Sequence, residues 1–212
     1  MKFIQLLDIV GDEPVFETGL LLAGPVDSKD VRRQLSRWTK AGRLYQLRRG
    51  LYALAPPFQK VKPHPFVIAN RMMRSSYVSL QSALGYYGLI PDVVPVTTSI
   101  TTSRPGQWQT PLGVYTFRHI KTEWFAGYRL VDLTDNQQAY VATPEKALLD
   151  LVHLQPGGDS GKYLQELRLQ GMDRLDLDEL QRQAELASSQ KLRRAAALVI
   201  KLAQAERAYE TL

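Results

Sequence analysis

Cysteine is absent from the 212-residue chain. Neither a disulfide framework nor a thiolate metal site can form. Histidine is scarce. The three present are His64, His119 and His153, placed on an expected linker, an expected strand and an expected helix end. None has zinc-site spacing, so they are expected as surface or partly buried imidazoles, with no metal and no cofactor. No run of about 18 apolar residues occurs, so no spanning helix and no membrane partner is expected. Met1–Val10 carries Lys2 but reaches Asp8 too early for a secretory signal, which makes a cytoplasmic location the expectation. Internal repeats and low-complexity tracts are also missing. Gly157-Gly158-Asp159-Ser160-Gly161-Lys162 lacks the spacing of a Walker loop and follows no strand, so it is expected to connect helices.

What is present is ordinary in bulk and uneven in charge. A hydrophobic fraction of 44% and a charged fraction of 23% fit a folded globular chain. The formal net charge is +6. From Lys29 to Arg49 the basic residues are Lys29, Arg32, Arg33, Arg37, Lys40, Arg43, Arg48 and Arg49, opposed only by Asp30. That segment alone is worth +7, so everything else nets −1. A concentrated basic surface favours nucleic acid, an anionic membrane or an acidic protein.

The clearest seam is Ala55 to Pro65, with Pro56, Pro57, Pro63 and Pro65 around Lys60 and Lys62. Proline removes amide donors and extends its predecessor. The seam divides the chain into residues 1–57 and 64–212. The expected fold class is α+β: an N-terminal winged helix-turn-helix and a C-terminal mixed α/β domain ending in helices.

In the first part, Phe3, Leu6, Leu7 and Val10 recur at helical spacing and Gly11 stops that helix. A second short helix is expected over Thr18–Leu22, followed by a turn at Gly24-Pro25. The third helix starts at an Asp27 or Ser28 cap and ends at Gly42. Its Val31, Leu35 and Trp38 form one apolar stripe. The opposite side carries Lys29, Arg33, Ser36, Arg37 and Lys40, with Arg32 and Gln34 on the flanks. Two strand-like runs then flank Arg48-Arg49-Gly50, where glycine supplies the positive φ of a tight hairpin. Helix, helix, turn, basic helix and hairpin, in that order, suit a winged helix on duplex DNA. The expected contacts are Lys29, Arg32, Arg33, Ser36, Arg37 and Lys40 on the helix and Arg48 and Arg49 on the wing. Arg33 and Arg37 are the expected base readers; Lys40, Arg48 and Arg49 are expected on phosphates or in the minor groove.

In the second part, helices are expected at 64–74 and 78–88, and strands at Val93–Thr101, Gly113–Ile120 and Ala139–Ala142. Trp124–Leu133 also reads as extended. Thr143-Pro144-Glu145 opens a helix: a threonine cap, proline at the first position, acid in the first turn. On it, Glu145, Lys146 and Asp150 are expected outside and Ala147, Leu148 and Leu151 inside. Two or three helices close the chain, with Leu192, Leu198, Val199 and Leu202 toward the core and Lys191, Arg193, Arg194, Lys201 and Arg207 solvated. Tyr86, Tyr87, Trp108, Trp124 and Phe125 could line a pocket, but aromatics in an α/β domain are mostly core, and core is the expectation. No catalytic constellation is legible, so no enzyme is expected.

Arg32-Arg33-Gln34-Leu35-Ser36-Arg37-Trp38-Thr39-Lys40-Ala41-Gly42-Arg43-Leu44, followed by Leu47-Arg48-Arg49-Gly50-Leu51-Tyr52-Ala53-Leu54, resembles the AbiEi family of antitoxin regulators. Tyr77-Val78-Ser79-Leu80-Gln81-Ser82-Ala83-Leu84 with Tyr87-Gly88-Leu89-Ile90-Pro91 is similar to the opening of that family's C-terminal domain, and residues Ala142 to Leu151 to a later motif. The resemblance runs from about residue 2 to residue 155. It implies a transcriptional repressor that binds promoter inverted repeats in double-stranded DNA, as a dimer or as two monomers. It also implies an antitoxin to a nucleotidyltransferase toxin, often without a stable complex between the two. The alternative reading is a winged-helix regulator with a ligand-sensing C-terminal domain and no toxin partner.

Overall fold

The computed structural model describes residues 1–23, 26–92 and 94–210, and side chains up to residue 206. The expected Gly24-Pro25 turn and the Val93 strand start lie outside the described residues, as does the Arg207 side chain. The molecule is a mixture of helices and two sheets.

α1 (Phe3–Val10) buries Leu6 and Val10 and ends where Gly11 takes φ 57°. β1 (Phe16–Glu17) leads into a 3-10 helix at Thr18–Leu22. α2 (Ser28–Lys40) is capped by Asp27, whose carboxylate accepts from the Lys29 amide at 2.8 Å. Its Val31, Leu35 and Trp38 are buried, as their spacing requires. β2 (Leu44–Arg48) and β3 (Leu51–Leu54) form a hairpin, turned at Gly50 with φ 84°, and β1 adds to β3 in the order β1-β3-β2.

The hairpin is covered on both faces. Tyr52 and Leu54 join Leu44 in a core with Leu6, Val10, Phe16, Leu21, Val31, Leu35 and Trp38. The alternate residues Leu51 and Ala53, together with Leu47 and Val15, belong to a larger core that extends through the C-terminal half. All four residues of β3 are buried, so this strand is a wall shared by two cores. Ion pairs flank the junction: Asp12 with Lys60 at 3.3 Å, and Glu17 with Arg74 at 2.7 Å.

The second sheet has six strands in the order β6-β7-β5-β4-β9-β8, from Ser76–Val78 (β4), Val96–Thr101 (β5), Gly106–Thr110 (β6), Gly113–His119 (β7), Tyr128–Asp132 (β8) and Gln138–Ala142 (β9). β5 runs parallel to β7 and β4 parallel to β9; the other pairs are antiparallel. α3 (Pro65–Met72) and α4 (Leu80–Tyr86) precede most of it, α5 (Pro144–Leu154) follows β9, and α6 (Gly161–Glu166), α7 (Leu177–Leu186) and α8 (Gln190–Glu210) close the chain.

Four points differ from the sequence reading. The helix expected over 78–88 starts at Leu80, because Ser76–Val78 is a central strand with Tyr77 and Val78 fully buried. Three residues are too few to display alternation. The stretch 124–133 divides into the end of a 3-10 helix at Thr122–Trp124 and β8. β6 was not anticipated; in Gly106–Thr110 only Trp108 is a large apolar residue, packed on Phe117 with ring centroids 5.3 Å apart, and the strand pairs with β7. On α8, Leu192 and Val199 are buried as expected, but Leu198 and Leu202 are each 36% exposed. No helix among the described residues is long and apolar enough to cross a membrane.

Candidate functional site

Two groups of residues stand out, one on the surface of α2 and one buried at α5. On α2 every expected contact faces solvent: Lys29, Arg32, Arg33, Ser36, Arg37 and Lys40 are all exposed, while Gln34 is half-buried. Val31, Leu35 and Trp38 anchor the other side against the 3-10 helix and β2. A helix held by three large apolar residues presents its opposite face as one rigid strip. Arg37 and Lys40 occupy the last turn, where cations also complement the helix dipole. Asp30, in the first turn, pairs with Arg33, whose side chain is 71% exposed. An ion pair in such a wet setting is weak, typically about 0.2–1 kcal/mol, and leaves the guanidinium available to a stronger acceptor.

At the hairpin tip the two arginines part company. Arg49 is exposed. Arg48 is half-buried, and its Nε is buried without a hydrogen-bond partner. The tip is fastened: the Gly50 carbonyl accepts from the Thr18 amide at 2.9 Å and from its hydroxyl at 3.4 Å. The hairpin is thus joined to α2 both through their direct packing and through the 3-10 helix.

The α5 group departs from expectation. Thr143 caps the helix as expected, accepting from the Lys146 amide at 3.3 Å. Glu145, Lys146 and Asp150, however, are 5%, 8% and 1% exposed, not outside. α5 is packed against α4, α7, α8 and β9, so it has no solvated face along this stretch. Lys146 forms an ion pair with Asp150. Asp150 also accepts from the Tyr77 hydroxyl at 3.0 Å and the Ser79 hydroxyl at 2.7 Å. Burial and the adjacent Asp150 carboxylate push the Tyr77 phenol well up, which keeps it a donor. Such a pair survives burial because its remaining lone pairs are satisfied. Glu145 accepts from the Asp176 amide at 3.0 Å and so fixes the start of α7.

The sequence carried one clue to this network. Tyr77 in β4 and Ser79, in extended backbone just past its end, are two apart and share a face. The lysine and aspartate four apart read equally well as a surface pair.

A cavity of about 490 Å³ opens beside this network, lined by Glu123, Trp124, Ala126, Gly127, Lys146, Leu149, Asp150, Glu179, Arg182, Gln183, Leu186, Ala187, Ser188 and Leu192. Trp124 packs on His153 with ring centroids 4.1 Å apart. None of the five aromatics expected as core is fully buried: Tyr86 is 42% exposed, and Tyr87, Trp108, Trp124 and Phe125 are half-buried against the core, Trp124 at this cavity. His64 is a cap, its Nδ1 accepting from the Phe66 amide at 3.1 Å, and burial lowers its pKa. His119 is exposed; His153 is half-buried, with burial again lowering its pKa. Among the described residues no three histidines, cysteines or carboxylates gather as a metal site. In the glycine-rich connector, Asp159 is held by Arg194 at 2.6 Å, and Ser160 caps α6 through the Tyr163 amide at 3.2 Å.

No family model matches this chain, and no curated protein is significantly similar to it.

Proposed function

We propose that this chain is a sequence-specific transcriptional repressor that lays α2 in the major groove of duplex DNA, and that it serves as the antitoxin of a toxin-antitoxin pair. In this reading α1, the 3-10 helix and α2 are the helix-turn-helix, and β2 and β3 are the wing. One observation carries the DNA half: six residues able to donate hydrogen bonds, five of them cationic, all exposed on one face of a helix whose other face is locked in a core. The major groove admits a helix of that width, and arginine bridges guanine O6 and N7 there. Arg33 and Arg37 are assigned to bases, Lys29, Arg32, Ser36 and Lys40 to the flanking backbone, and Arg49 to the backbone or minor groove beside the wing. Arg48 is the weaker wing assignment, since its stem is half-buried. The antitoxin half rests on the resemblance to AbiEi regulators alone. It brings with it autoregulation through promoter inverted repeats and a nucleotidyltransferase toxin as functional partner. No catalysis is proposed.

The test is a gel-shift titration on the protein's own promoter, with random duplex as competitor, at two salt concentrations. A preference of about 10³ or more with steep salt dependence is expected. Arg33→Ala should cost about 1–3 kcal/mol on the operator only, whereas Lys40→Ala should weaken all sequences alike and lower the salt slope by about 1. Equal losses on both DNAs for both variants refute the assignment. Co-expression with the neighbouring gene tests the antitoxin half: relief of growth arrest is expected, and no relief refutes it. The cavity beside Lys146 favours a second reading, a regulator whose C-terminal half senses a small molecule and has no toxin partner.

A further inference from the structure

We propose that β8, an edge of the six-stranded sheet, is a dimerisation surface on which the same strand of a second copy pairs antiparallel, about a twofold axis at Leu130. The proposal goes beyond the DNA reading and does not depend on it. It stands on the open backbone of the strand, the apolar face beside it and its charge pattern.

The two edges of the sheet differ. β6 lies against β2 of the N-terminal hairpin, so that edge is flanked. β8 pairs with β9 alone, from Tyr128 opposite Ala142 to Asp132 opposite Gln138, without a register shift. The Gly127 carbonyl accepts from the Thr143 amide at 2.9 Å, and the Leu133 amide donates to the Gln137 carbonyl at 2.8 Å. Hydrogen-bonded pairs alternate along an antiparallel ladder, so Arg129 and Val131 also bond inward. The amides and carbonyls of Tyr128, Leu130 and Asp132 therefore point away from β9, and among the described residues no hydrogen bond meets them there. Natural edges are commonly blunted by lysine, proline or a bulge, and Tyr128–Asp132 has none of these. Its one cation, Arg129, lies over the Tyr87 ring at 5.9 Å, on the opposite face from Leu130.

The side chains beside the open backbone are apolar. Tyr128, Leu130 and Tyr140 share one face, with Leu130 directly opposite Tyr140, and they are 36%, 49% and 45% exposed. The patch is anchored: Tyr128 stacks on the fully buried Tyr77 with ring centroids 4.7 Å apart and meets Tyr140 edge-on at 5.8 Å.

A second copy matches this strand. With the axis at Leu130, Tyr128 faces the partner's Asp132, and every open row on each side finds a row to bond, about six hydrogen bonds in all. Moving the axis to Arg129 or Val131 leaves an open row unmatched, and at Arg129 it also sets two like charges face to face. In the Leu130 register Arg129 lies beside the partner's Val131, and the basic end of each strand runs along the acidic end of the other. Tyr140, Leu130, the partner's Leu130 and the partner's Tyr140 then form one apolar rung across the junction. A twofold contact of this kind closes on itself and stops at two copies.

Sedimentation equilibrium of the full chain from about 1 µM to about 200 µM, without DNA, tests this. The mass should rise from the 24.0 kDa of one chain toward twice that value, with Kd on the order of 10 µM for a small edge-to-edge contact. Leu130→Lys brings two ammonium groups together at the axis and should weaken association by about 10-fold or more. Leu130 is 49% exposed, so the fold should be retained, which circular dichroism checks. Because the chain has no cysteine, Leu130→Cys introduces a single thiol. Directly opposed hydrogen-bonded residues have Cα atoms about 5.5 Å apart, within disulfide range, so oxidised glutathione should cross-link this variant into a dimer. In Asp132→Cys the two thiols sit about 13 Å apart along the strands and should not cross-link. A single-chain mass throughout, association unmoved by Leu130→Lys, or equal cross-linking of the two cysteine variants overturns the proposal. The outcome is separate from that of the operator experiment, because loss of the dimer leaves the α2 strip of each copy intact.

Discussion

Asp150→Asn is the most informative perturbation of the fold. The change is nearly isosteric and retains an oxygen for Tyr77 and Ser79, but it leaves the Lys146 ammonium, 10% exposed, without its counter-charge. Breaking one side of a buried pair in this way costs about 3–5 kcal/mol. Lys146→Met makes the complementary error. It strands a carboxylate that is 1% exposed, though two hydroxyls still donate to it, so the cost should be about 2–4 kcal/mol. The double variant has neither charge, and its neutral amide still accepts from Tyr77 and Ser79. It should recover to within about 2 kcal/mol of the parent, because removing both charges also removes both desolvation penalties. Urea unfolding followed by far-ultraviolet circular dichroism reads the cycle. With a slope of about 2 kcal/mol per molar, Asp150→Asn should move the midpoint down by roughly 1.5–2.5 M and Lys146→Met by roughly 1–2 M, and the double by less than either. Additive losses, or single costs below about 1 kcal/mol, would show that the pair is solvated or unformed and would refute the reasoning.

Three further outcomes follow from the same structure. Asp30→Asn frees Arg33 and removes a carboxylate near the proposed DNA end of α2; DNA affinity should rise up to about 5-fold while helix stability falls by about 0.3–1 kcal/mol, and a drop in gel-shift affinity would mean that Asp30 orients Arg33 for binding. His64 and His153 have pKa values lowered by burial from the ordinary 6.5, so below that pH the unfolded chain binds more protons than the folded one. Their contribution is therefore present above about pH 6.5 and is lost as pH falls through the lowered folded values; urea midpoints should decline from pH 7 to 5, less steeply in His64→Asn, whose amide oxygen can replace the capping nitrogen, and an unchanged slope in that variant would remove His64 from the account. Gly127→Ala should destabilise by about 1–3 kcal/mol in the same assay, since φ is +74° there and the new methyl meets the Lys146 stem; a neutral result would show that the segment yields.

The sequence alone determined what depends on near neighbours. The Val31, Leu35, Trp38 stripe and the turn at Gly50 are each set within a few residues and appear as read, and of the two caps the sequence offered, Asp27 and Ser28, the structure uses Asp27. The exposure of Lys29, Arg32, Arg33, Ser36, Arg37 and Lys40 follows from that stripe, because burying one side of a helix leaves the other outside. The Thr143 cap and the strand at Gln138–Ala142 belong to the same class. Only the tertiary structure decided which charges are buried. The partners of Asp150, Tyr77 and Ser79, lie 73 and 71 residues away, and no local periodicity encodes that meeting. The same holds for the hairpin: its two strand-like runs were legible, but β3 is covered on both faces, and the second of its two cores is assembled largely from residues of the C-terminal half. Short-range order is fixed by hydrogen bonds and side-chain period within a turn or a strand. Burial is fixed by which surfaces are left to cover one another once the whole chain has closed.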